Sequence, residues 1–121
     1  MHPEAPNLLQ RMIKRVLSVL WLVCTAASLA ANEPVYTIKI VNRQFIPVEL
    51  HIPKATKVQI VLDNLDDTAD EFDSHSLNRE KHVPPKSQVV IYIGPLAAGR
   101  YIYEGESEVT GGPALGVIVV E

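Results

Sequence analysis

The chain has 121 residues, with 11 Lys and Arg against 14 Asp and Glu, a formal net charge of −3 and one cysteine, Cys24. That length accommodates one modest domain and excludes a multidomain enzyme. One cysteine excludes an internal disulfide framework, a Cys-based zinc finger and a Cys-ligated iron–sulfur cluster, and the acidic balance argues against a nucleic-acid binder, which needs a basic face.

Residues 1–30 read as a helical signal peptide. Arg11, Lys14 and Arg15 precede the apolar run Val16 to Val23, and the small residues from Cys24 to Ala30 follow it. This is the charged, apolar and small-residue order of a secretory signal. Ser28 and Ala30 stand at −3 and −1 for cleavage after Ala30. The alternative is an uncleaved anchor, but the apolar run falls short of the about 20 residues that span a bilayer comfortably. Residues 31–121 are then an exported domain, expected in the periplasm. That domain keeps 8 basic and 13 acidic residues, a net charge of −5, and has no thiol.

The exported domain reads as all-β. Tyr36, Ile38 and Ile40 alternate with their neighbours; Leu50 and Ile52 flank His51; Val58, Ile60 and Leu62 alternate with Gln59, Val61 and Asp63. Val89, Ile91 and Ile93 repeat the pattern, then Tyr101 with Tyr103 and Val117 with Val119. Period two is what a half-buried strand needs, because successive side chains point to opposite faces. Pro47, Pro53, Pro84-Pro85 and Gly94-Pro95 punctuate the runs. About seven short strands separated by turns predict a Greek-key β-sandwich. In Leu96-Ala97-Ala98-Gly99-Arg100-Tyr101, a tyrosine two residues after a glycine opens a strand. This resembles the tyrosine corner of such sandwiches, in which the phenol bonds back to nearby backbone.

Four stretches, in this order, resemble the cupredoxin family from about Val35 to Glu121. They are Phe45-Ile46-Pro47 with Leu50-His51-Ile52-Pro53; Asp63-Asn64 with Glu71-Phe72-Asp73-Ser74 and Leu77 to Lys81; Gly94-Pro95-Leu96 with Gly99 and Tyr101; and Tyr103-Glu104-Gly105-Glu106 with Gly116 to Val119. The resemblance is nearest to the cupredoxin-like domains linked to bacterial periplasmic iron uptake (EfeO-type). It implies a metal site at one end of the sandwich. A type 1 copper centre needs a thiolate and imidazoles. Here Glu71 falls at the first His position, Gly105 at the Cys, Glu108 at the second His, and Pro113-Ala114 in the Met region. The donor set excludes blue-copper chemistry. The iron-associated relatives carry Gly-Glu-Phe-His in the last loop, where this chain has Gly105-Glu106-Ser107-Glu108.

What remains is an acidic tip. Asp63, Asp66, Asp67, Asp70, Glu71 and Asp73 fall in or beside a middle loop; Glu104, Glu106 and Glu108 follow the Tyr103 strand at alternate positions and share a face if the segment stays extended. Two readings stand side by side: a solvated acidic rim, or a metal site built from Glu71, Glu106 and Glu108 with His75 as a nitrogen ligand. Oxygen donors favour hard cations. His51 and His82 read as surface residues. No nucleophile and base stand at motif spacing, so turnover is not expected. The resulting functional expectation is a periplasmic metal-binding accessory protein. It would bind one iron or copper ion and hand it to an inner-membrane permease or another periplasmic uptake protein. The alternative is a metal-free Greek-key interaction module.

Overall fold

The computed structural model describes residues 5, 7–12, 32–108 and 110–121. Residues 8–12 are helical, with the Asn7 side chain accepting the Gln10 N–H at 3.0 Å. Most of the expected signal segment lies outside the described residues. The chain divides into two units, Met1–Asn32 and Glu33–Glu121, and the strands of the described residues lie in the second.

Among the described residues nine strands form in chain order: β1 (Val35–Val41), β2 (Gln44–Ile46), β3 (Glu49–Ile52), β4 (Val58–Asn64), β5 (Asp70–Ser74), β6 (Arg79–Val83), β7 (Ser87–Ile93), β8 (Gly99–Glu104) and β9 (Leu115–Val120). One sheet has the order β2-β1-β4-β7 and the other β3-β9-β8-β5-β6. The pairs β1/β4 and β3/β9 are parallel; the others are antiparallel. The all-β sandwich expected from the alternating pattern is present, with more strands than the seven expected.

The additional strands have a physical explanation. β2 is only three residues long and closes a tight hairpin with β1. Asn42 and Arg43 both adopt positive φ, as the primed hairpin turns require. The Asp66 carboxylate accepts both of their N–H groups at 2.8 Å. β6 is a sheet edge with only Val83 buried, so it lacks an apolar stripe. Asp70, Glu71 and Asp73, expected in or beside a middle loop, lie on the strand β5. Its inward positions are Asp70, Phe72 and Ser74, and only Phe72 is apolar. Ser74 is 2% exposed, and its hydroxyl donates to the Ile102 carbonyl at 2.7 Å. A polar residue can face a core when its hydrogen bonds are met there.

The inner faces of the two sheets meet in one core of Ile38, Ile40, Phe45, Ile60, Leu62, Phe72, Tyr103, Ile118 and their neighbours. Asn64 is wholly buried and fastens the β4–β5 connection. Its amide donates to the carbonyls of Thr68, Val83 and Pro84, and its side-chain oxygen accepts the Asp66 N–H at 3.0 Å. The tyrosine corner forms as expected, with the Tyr101 hydroxyl donating to the Ala97 carbonyl at 2.9 Å.

Candidate metal centre

The acidic tip is built by three adjacent strands. In the β5/β6 register Glu71 faces His82 and Asp73 faces Glu80; in the β5/β8 register Asp73 faces Glu104. Side chains of one parity share the outer face of this sheet, so Glu71, Asp73, Glu80, His82 and Glu104 all project away from the core.

β8 ends at Glu104, and the chain turns at Ser107 and Glu108. The expected extended run of three glutamates therefore stops after the first. Glu106 is half-buried, and Glu108 is exposed on the turn with its N–H directed at Glu106 Oε1 at 3.4 Å.

Asp70 sets the position of Glu106 relative to Glu71. This carboxylate is 3% exposed, and its Oδ1 accepts the N–H of Glu71 and of Glu106, each at 2.8 Å. It ties the start of β5 to the segment after β8. Burial pushes the Glu71 carboxyl above its ordinary value, and the charges of Glu106, Glu80 and Asp73 push it further; His82 pulls it down. A carboxyl with like charges around it resists ionisation.

His75 is placed elsewhere. It sits in the turn after β5 and lines a cleft of about 350 Å³ with Asp73, Ser76, Ile102 and Glu104. Three residues of extended chain run from Glu71 to Ser74, about 10 Å along the strand, before the turn that holds His75. Glu71 and Glu106 are thus brought together, Glu108 follows on the adjoining turn, and His75 lies toward the opposite end of β5. Among the described residues no group of three or more His, Cys, Asp or Glu side chains is arranged to hold a metal ion. Sequence reasoning missed Asp70 as the organising residue and His82 as the neighbour of Glu71. The one signal for both was Phe72, an apolar residue flanked by acidic ones at strand spacing.

A family model for the cupredoxin-like domain matches residues 14–120. The chain belongs to this family. An uncharacterised protein of Rickettsia prowazekii (strain Madrid E) is 38% identical over 77 residues, a match covering 62% of each chain. Among solved structures, the fold resembles auracyanin A, a blue copper protein of Chloroflexus aurantiacus (TM-score 0.61, 14% identity, 74% of this chain and 100% of that one). It also resembles the metal-binding domain of the Cu(I)-exporting P-type ATPase CopA of Streptococcus pneumoniae D39 (TM-score 0.61, 12% identity, 76% and 91%). Identities this low establish the shared fold.

A blue-copper ligand set does not fit this cupredoxin-like chain. A Cβ added at Gly105 meets Asp70 Oδ1 at 3.0 Å and the Phe45 ring at 3.4 Å. The carboxylate that organises the tip fills the space a thiolate side chain would need. The only cysteine of the chain is Cys24, which precedes β1 in the segment read as a signal.

Proposed function

We propose that this cupredoxin-like protein is an exported accessory of metal uptake that carries a hard cation, ferric iron foremost, as cargo. The observation that supports this reading is the tie through Asp70, whose Oδ1 accepts the N–H of both Glu71 and Glu106 and so places these two glutamates at one end of the sandwich. Two protein oxygens are a partial coordination set; hard cations take six or more. The open positions suit a cargo that arrives with other ligands and leaves to a receiver, an inner-membrane permease or a second periplasmic uptake protein. The protein's part is binding and handover without turnover. The sequence resemblance to the iron-uptake (EfeO-type) domains and the signal-like leader support the same assignment.

The test is metal titration of the purified full chain with ferric citrate, manganese, calcium and cuprous ion. About one hard cation per chain is expected, with Glu71→Gln plus Glu106→Gln weakening it and cuprous ion failing to compete. Metal content and affinity unchanged in the double variant would overturn the site. The lack of a three-ligand group among the described residues favours a second reading, a metal-free interaction module. For that reading no cation would shift the melting temperature.

A further inference from the structure

The outer face of the five-stranded sheet has a two-part surface that metal carriage does not require. Register aligns Glu80, Asp73 and Glu104 on β6, β5 and β8, followed by Leu115 on β9. Adjacent strands lie about 4.8 Å apart, so three carboxylates occupy a line about 10 Å long. Like charges directly opposite one another across strands are destabilising. None of the ion pairs among the described residues includes any of the three.

Beside this line the face is apolar. Val48, Ile102 and Leu115 are 57–59% exposed. With Val117 and Arg100 they line a depression of about 210 Å³. The larger cleft beside it is lined by Asp73, His75 and Glu104, and Ile102 is a wall of both. The aliphatic depression and the carboxylate-lined cleft thus adjoin at Ile102, and together they form the groove.

We infer that this groove docks a cationic amphipathic segment of another protein, one with aliphatic side chains next to paired Lys or Arg. Helical neighbours at i and i+4 stand about 6 Å apart, close to the strand spacing, so one turn can set a cation over each of two carboxylates. The aliphatic side chains then cover Ile102 and Leu115. Charge complementarity decides the occupant. The guanidiniums near the groove are Arg100, paired with Glu49, and Arg79, which donates to the Tyr92 carbonyl; the other basic groups of this face are the imidazoles of His51, His75 and His82, so a second copy stacking the same face brings no unengaged guanidinium. An anionic lipid surface is repelled. The inference is independent of metal carriage.

The test uses the full chain with chelator present and a short synthetic helix-forming peptide of Leu and Lys, followed by fluorescence anisotropy. Saturable binding that weakens with salt is expected. Asp73→Asn with Glu104→Gln should weaken it about tenfold or more, and Ile102→Ser comparably. Asp63→Asn with Asp67→Asn removes the same charge elsewhere and should leave affinity unchanged. The same peptide with Glu for every Lys should not bind. Absence of binding, equal loss in both double variants, or indifference to Ile102→Ser would overturn the site. Sedimentation showing self-association through Ile102 would reassign the face to a second copy.

Discussion

Asp70 Oδ1 lies 3.0 Å from the point where a Cβ on Gly105 would stand, and the same oxygen accepts the N–H of Glu71 and of Glu106. One buried carboxylate therefore does two jobs: it organises the loop pair at the tip, and it fills the space a ligand side chain at position 105 would need. Asp70→Ala leaves two N–H groups without their acceptor, a cost of about 1–3 kcal/mol for each buried group left unsatisfied. Gly105→Ala forces an atom against Asp70 and Phe45 and should cost about 1–3 kcal/mol as overpacking. Urea unfolding measures both. Gly105→Cys should be destabilised similarly and show no strong visible absorption with copper, because no imidazole set accompanies the thiol.

Glu71 makes stability depend on pH in a sense opposite to the usual acid denaturation. Its folded value is raised above the ordinary 4.5. Between that ordinary value and the raised one, the folded state binds more protons than the unfolded state, so stability falls as pH rises through this window. Mild acidification toward pH about 4.5 should therefore add stability from this group. Melting temperature measured across the window should show a steeper decline for the parent than for Glu71→Gln. Identical slopes would remove the effect from Glu71.

Asp73 stands between Glu80 and Glu104 on neighbouring strands. Removing its charge should stabilise the fold, by about 0.2–1 kcal/mol for relief of cross-strand repulsion. Asp73→Asn is expected to unfold at higher denaturant than the parent, with the difference shrinking in high salt. A destabilised Asp73→Asn would mean the row is not under electrostatic strain.

Two tyrosines should respond oppositely to loss of the hydroxyl. Tyr101→Phe removes the bond to the Ala97 carbonyl, a net loss of about 0.5–1.5 kcal/mol. Tyr103 is fully buried, stacked on Phe72 at 4.5 Å and edge-on to Phe45 at 4.8 Å, and its hydroxyl has no partner among the described residues. Tyr103→Phe should be neutral or stabilising, because it removes an unsatisfied group and keeps the ring. Chemical denaturation of the two variants side by side decides this.

Alternation made β1, β4, β7, β8 and β9 legible, because each buries one face and the pleat writes that burial into every second residue. The same rule hid β5 and β6. Asp70 and Ser74 face inward as polar residues whose bonds are supplied by Glu106 and Ile102, 36 and 28 positions away in the chain. β6 is an edge with little to bury. The tyrosine corner was legible because its hydrogen bond spans only four residues.

At the tip, the sequence alone established two facts: residues 31–121 have no thiol, and most of their carboxylates fall around two segments. Both follow from residue identity and exclude blue-copper chemistry whatever the fold. Which carboxylates meet was decided by the tertiary structure. The Asp70 carboxylate joined Glu71 to Glu106, the length of β5 put His75 in the turn beyond its far end, and strand register set Asp73 between two other acids. These neighbours come from β5, β6, β8 and the segment after β8, so only strand order, register and the Asp70 tie could choose them. The net charge of −3 thus resolves into a carboxylate pair at one end of the sandwich and a carboxylate row beside an aliphatic groove.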